Sequence, residues 1–165
     1  MVAVTQIRAV TGKTLQQMEL LFQQKARALR VAVGERIADD IVDRSPVDTG
    51  TYIMAHKAGA RGSSADAERS SDGKARGRSA AQFKELARAN LKRSVSSAAM
   101  QSANEIWFQN SSLHANRVET LGWPAPLFGN PNSSGPGPYH VYRTARGRVP
   151  EHIRVAAREL GFETR

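Results

Sequence analysis

The sequence predicts a single-domain α+β protein, with a long N-terminal helix and further helices accompanied by short strands. Three observations predict it. Apolar residues recur at helical spacing from position 15 to position 41. Short runs rich in β-formers, bounded by turn residues, fall at 105–109 and 139–145. The length of 165 residues suits one domain.

The long helix is the clearest element. Thr14 offers an N-cap, and Gln17 sits at the capping-box position three residues later. Apolar residues follow at 15, 18, 22, 26, 29, 33, 37 and 41, an α-helical stripe. Lys13, Gln17, Gln24, Arg27, Glu35 and Asp39 fall largely off it. Pro46 cannot continue the helix and holds Ser45 out of helical geometry, so the helix is placed at 14–44. Ser45-Pro46-Val47-Asp48-Thr49-Gly50-Thr51 then reads as a tight turn, with a short strand expected at 51–56.

Residues 57–79 are dominated by Gly, Ser, Ala, Lys, Arg and Asp and read as a flexible basic excursion. Ser79 can cap a second helix at 79–103, with Phe83, Leu86, Leu91 and Val95 on its apolar face. Glu105–Gln109 reads as a strand closed by Asn110-Ser111-Ser112. Residues 113–123 are ambiguous between short helix and irregular turn. Residues 124–138 hold five prolines and three glycines and read as loop. A second strand is expected at 139–145, then a helix at 150–160 with Pro150 in its first turn and Gly161 as its stop.

Composition narrows the function classes. There are no cysteines, which excludes disulfides and thiolate metal sites and fits a reducing compartment. The N-terminal MVAVTQIRAV does not read as a secretory signal, and no apolar run approaches the ~20 residues of a membrane span, so the chain is expected to work in solution. The net charge of +9 is regional. Residues 56–93 hold ten Lys or Arg against four Asp or Glu, whereas 14–44 hold five of each sign. Such a basic segment attracts polyanions by counterion release; the plainer reading is a solvated loop that aids solubility.

Catalytic signatures do not assemble. Gly12-Lys13-Thr14 ends like a phosphate-binding loop, but that motif needs glycine at position 7, which is Ile7. His56, His114, His140 and His152 include no i, i+4 pair and read as ordinary surface or interface residues. No G-x-S-x-G elbow occurs. Asp39 and Asp40 are adjacent on a helix and point in different directions. No enzyme activity and no cofactor are therefore expected. Zinc-finger, RNP and basic-zipper patterns also fail, and Phe83 is the one aromatic of the basic segment. Any DNA contact there would be to phosphates, without sequence preference.

The order of short motifs resembles the tail-completion and head–tail joining (neck) proteins of long-tailed bacteriophages, including the minor tail protein Z type. The likeness is carried by the long helix running into Ser45-Pro46-Val47-Asp48-Thr49-Gly50, then Ile106-Trp107-Phe108-Gln109-Asn110-Ser111, Arg117-Val118-Glu119, Gly122-Trp123, and Gly137-Pro138-Tyr139-His140-Val141-Tyr142 before a final helix. The resemblance implies long helices packed on a small antiparallel sheet. It also implies a non-catalytic homo-oligomeric ring, usually sixfold, located in the virion neck after assembly in the host cytoplasm. Tail-terminator or tail-tube proteins and head–tail connector proteins would adjoin it, and genomic DNA would pass through its bore.

In that setting Lys57, Arg61, Lys74, Arg76 and Arg78 are the candidates to face DNA or a partner ring. Trp107, Trp123, Phe128, Tyr139 and Tyr142 are the candidate interface anchors, since aromatics bring large area at small entropic cost. Of Trp107 and Phe108, strand alternation sends one to the core. The rival readings are a tail-terminator ring and a small basic DNA-binding protein.

Overall fold

The computed structural model describes residues 14–47, 50–59, 79–101, 105–112, 115–120 and 139–162. Within them the α+β architecture holds: a long N-terminal helix, further helices, and a two-stranded antiparallel sheet.

Helix α1 spans Leu15–Arg44. Its start is the capping box expected: Thr14 Oγ1 accepts from Gln17 N at 3.3 Å, and Gln17 Oε1 accepts from Thr14 N at 2.9 Å. Its end is Ser45, extended ahead of Pro46. Thirty residues span about 45 Å at 1.5 Å per residue. Only the C-terminal half is buried, through Gly34, Ala38, Asp40, Ile41 and Val42. At the N-terminal end of the apolar stripe Leu15, Phe22 and Ala26 lie exposed and Met18 is half-exposed.

After Ser45 the chain turns into α2, a single helical turn at Thr51–Met54. The strand expected at 51–56 is corrected here. Tyr52 and Ile53 are adjacent and both buried, which one helical turn allows and an alternating strand does not. The turn starts at Gly50, whose φ is +82° and whose α-carbon faces the Phe83 ring. Asp48 and Thr49 lie outside the described residues.

Strand β1 (His56–Gly59) pairs antiparallel with β2 (Trp107–Asn110), with His56 opposite Asn110 and Gly59 opposite Trp107. The basic excursion therefore begins later than expected: 57–59 are strand, and 60–78 lie outside the described residues. Asn110, expected as the first turn residue, is the last residue of β2.

Helix α3 (Ala80–Gln101) starts with a second capping box, Ser79 with Gln82. Phe83, Ala87, Leu91 and Val95 point inward at steps of four, while Leu86 is half-buried. Helix α4 (Ala115–Thr120) makes the middle of the ambiguous stretch helical and buries Val118 completely.

Helix α5 runs Val141–Glu159, so both expectations for this region are corrected: 139–145 is not a strand, and the helix does not begin at Pro150. Val141, Ala145, His152 and Ala156 form one buried helical face that continues through the proline. Pro150 sits on the exposed side, where its missing N–H leaves one carbonyl to water. The stop at Gly161 is as expected. Gly161 takes φ +70°, Gly161 N bonds Arg158 O at 3.1 Å, and Phe162 N bonds Ala157 O at 2.8 Å, a Schellman motif.

α3 and α5 flank the C-terminal half of α1, and the acidic side chains of α1 direct the arrangement. Asp39 pairs with Arg88 and Lys92 of α3, and Asp43 pairs with Arg88. Asp40 turns the other way, to Arg148 and His152 of α5, and Arg36 pairs with Glu159. The adjacent Asp39 and Asp40 thus diverge, as their helical spacing requires. Gly34 lets α3 approach closely, since a Cβ there would lie 2.6 Å from Val95 Cγ1.

Gly50→Ala is expected to destabilise the fold by about 2–4 kcal/mol, through left-handed strain plus overlap with the Phe83 ring. Urea unfolding of the purified variant measures it. A change within about 0.5 kcal/mol would show that the turn is not held as described.

Candidate functional site

Two features stand out once the fold is built: a polar cluster inside the domain and a bare apolar surface outside it.

The cluster centres on His56, which is buried where β1 leaves α2. Ser45 Oγ donates to the Ile41 carbonyl at 2.6 Å, so it must accept from His56 Nε2–H at 2.7 Å. That assigns the tautomer, leaving Nδ1 as an acceptor. Tyr142 Oη donates to Nδ1 at 2.8 Å, and Asn110 Nδ2 lies 3.1 Å from it. The second Asn110 amide hydrogen goes to the Tyr52 carbonyl at 2.9 Å, and Asn110 Oδ1 accepts from Ser112 N at 2.8 Å. Burial pushes the imidazole down to about 3, so it is neutral at ordinary pH. Burial, with the Glu119 carboxylate adding to it, pushes the Tyr52 and Tyr142 hydroxyls well above the usual range.

A serine 2.7 Å from a histidine invites comparison with a nucleophilic dyad. The polarity is reversed: the imidazole donates and the serine proton is committed to Ile41. Ser45 is also 3% exposed. The cluster is internal bracing that ties the exit of α1 to β1, β2 and α5.

Glu119 extends this bracing. Its Oε1 accepts from Tyr142 N at 2.9 Å and Arg143 N at 3.1 Å, capping α5 from another element. His140, at the N-cap with φ 46°, supplies no side-chain cap of its own. A recess of about 240 Å³ is lined by Phe108, Gln109, Asn116, Glu119 and Tyr142, among others.

The outer feature is the N-terminal half of α1. Leu15 is 64% exposed, Leu20 58% and Phe22 65%. The stripe through Leu15, Met18 and Phe22 runs on into Leu29, Val33 and Ile37, which floor an apolar groove of about 260 Å³. Ile106, Phe108 and Ile153 form its other wall. Arg30 also lines it, and its Nε is buried without a hydrogen-bond partner among the described residues.

The residues singled out from sequence fall in different places. Trp107 is half-exposed on β2 while its neighbour Phe108 packs on the core, the split that alternation requires. Tyr139 and Tyr142 were expected at an interface; both pack on the core, and Tyr142 is engaged by His56. Lys57 is half-buried on β1. Arg61, Lys74, Arg76, Arg78, Trp123 and Phe128 lie outside the described residues. The expectation of surface histidines is corrected for His56 and His152, which are buried in polar contacts. Among the described residues no His, Asp and Glu group is placed to hold a metal ion, and no helix is long and apolar enough to cross a membrane.

Sequence reasoning missed a row of arginines on α5. Arg143, Arg146, Arg154 and Arg158 are exposed, and Arg154 is paired with Glu151. Their helical spacing was visible in the sequence but was hidden by starting the helix at Pro150.

His56→Gln tests the cluster. The folded-state value of about 3 lies below the ~6.5 of an unfolded histidine, so the unfolded chain takes up the proton first. The histidine's contribution is complete above pH ~6.5 and is lost as pH falls toward 3, by about 1.4 kcal/mol per unit. The variant should be less stable at pH 7.5 by about 2 kcal/mol, with the gap to wild type closing by pH 4.5. A gap independent of pH would rule out a buried neutral imidazole.

No family model, curated protein or solved structure matches the chain.

Proposed function

We propose that the chain is a structural virion protein, a tail-completion and head–tail joining component of a long-tailed phage that forms a homo-oligomeric ring in the neck. The observation that carries this reading is the half-covered α1. A helix whose N-terminal half holds Leu15, Leu20 and Phe22 in water is suited to meet another protein surface. The interior polar groups support it, because His56 and Ser45 brace the fold and have no chemistry left to offer.

The motifs behind the resemblance acquire physical roles in the fold. Ser45 holds His56, Gly50 makes the left-handed turn, Val118 fills the core and Glu119 caps α5. In a ring, the adjoining surfaces would be those of tail-terminator or tail-tube proteins on one side and connector proteins on the other. The exposed α5 arginines, rather than the basic excursion alone, are suited to non-specific contact with DNA phosphates in the bore.

Particles made without the protein provide the test. Filled heads alongside complete-looking but unattached tails are expected by electron microscopy. Tails of uncontrolled length would instead assign it as a terminator, and normal particles would exclude both. Sub-micromolar DNA binding by the monomer at physiological salt would favour the rival DNA-binding reading.

A further inference from the structure

We propose that the outward face of α5 binds the phosphate backbone of duplex DNA, with Arg143 and Arg146 on one wall of the major groove and Arg154 and Arg158 on the other. This site deepens the DNA contact of the neck reading, and it rests on that reading only for where in the particle the contact is made.

The face follows from helical geometry. At about 100° per residue, Arg143, Arg146, Arg154 and Arg158 fall within an arc of about 120°. That arc lies opposite the buried face of Val141, Ala145, His152 and Ala156. All four arginines are exposed. Arg143, Arg146 and Arg158 make no ion pair among the described residues, and Arg154 pairs with Glu151. The other charges around the helix are engaged elsewhere. Glu119 accepts from the amides of Tyr142 and Arg143, Arg148 turns to Asp40, and Glu159 pairs with Arg36. The arc therefore presents an excess of guanidinium groups to solvent.

The details of the arc select duplex DNA among polyanions. All the basic side chains of α5 are arginines. A guanidinium fork matches two phosphate oxygens, whereas a face that needed only hydration would be served equally by lysine. The two arginine pairs are centred about 17 Å apart along the axis, at 1.5 Å per residue. That separation spans a major groove about 12 Å wide and lets side chains reach the phosphates on both walls. Gly147 and Pro150 occupy the middle of the arc, and a Cβ at Gly147 would meet nothing within 4 Å. The centre of the face thus has no long side chain to read base edges, so the contact is independent of sequence. The arc holds no aromatic ring to stack on an unpaired base, since Tyr142 packs on the core. Ile153, at its edge, lines the apolar groove beside α1, which leaves the arc without an apolar wedge for a lipid surface.

Fluorescence anisotropy of the full chain with a short labelled duplex of mixed sequence tests the site. Micromolar affinity at physiological salt is expected, with a log–log salt slope of about −3 to −4 for four phosphate contacts. Replacing Arg143, Arg146, Arg154 and Arg158 together by Gln should weaken binding by about tenfold or more and flatten the slope by about 3. Replacing Arg61, Lys74, Arg76 and Arg78 by Gln removes the same charge from the basic excursion and should change affinity by less than about threefold. A single strand of equal length should bind about fivefold more weakly than the duplex or worse. Urea midpoints of the α5 variant, expected near wild type because the four side chains are exposed, separate lost binding from lost folding. An α5 variant that binds like wild type, an excursion variant that loses as much, a single strand bound as tightly as the duplex, or polyglutamate competing as well as DNA would each overturn the proposal. Sub-micromolar binding that the α5 variant loses would keep the site and favour the DNA-binding reading of the protein. The neck reading is decided separately, by the particle experiment.

Discussion

The fold hangs on a buried neutral imidazole. His56 accepts from Tyr142 of α5 on one nitrogen, with the Asn110 amide of β2 3.1 Å from it, and gives the other to Ser45 at the exit of α1. Four elements that are distant in sequence therefore share one hydrogen-bonding centre. Its satisfaction requires the tautomer that the Ser45–Ile41 bond dictates, so the geometry of the α1 exit and the docking of α5 are coupled. The node adds directed bonds to the apolar packing of Val141, Ala145 and Ala156, which buries one face of α5.

Much of this was legible locally. The Thr14 and Ser79 capping boxes, the Pro46 stop and the Gly161 Schellman end are all short-range chemistry, and each lies where the residues place it. What failed was context. Tyr52-Ile53 looked like strand because β-branched and aromatic residues favour strands, yet one helical turn buries both side chains and an extended segment would not. Pro150 looked like a helix start because proline favours the first turn, yet the buried face from Val141 to Ala156 outweighs one missing hydrogen bond. The His56 cluster had no local signal at all, since its partners lie 11, 54 and 86 residues away.

The apolar stripe of α1 shows what periodicity does and does not say. A spacing of three and four residues reports a face that will be covered, without saying by what. In its C-terminal half the cover is α3 and α5, locked by Asp39, Asp40 and Asp43 pairing in opposite directions. In its N-terminal half the same stripe continues with the same regularity, and Leu15, Phe22 and Ala26 on it lie exposed. One sequence signal thus encodes both intramolecular packing and an exposed surface, and only the fold separates the two.

That division also bears on how an exposed helix persists in water. An isolated helix of some 14 residues is marginal, and this one carries three large apolar side chains that gain nothing from solvent. It is held helical because nucleation has already occurred in the packed half, so each added residue only propagates the helix. The capping box at Thr14 closes the free end, and Lys25, 5.3 Å from the Phe162 ring centre, ties its flank to the segment after α5. The exposed half is therefore ordered by its own chain. Ordering a segment on binding offsets much of the interaction energy, whereas a preformed helix retains it. The exposed apolar side chains Leu15, Leu20 and Phe22 are in this way carried on a helix that its packed half keeps formed.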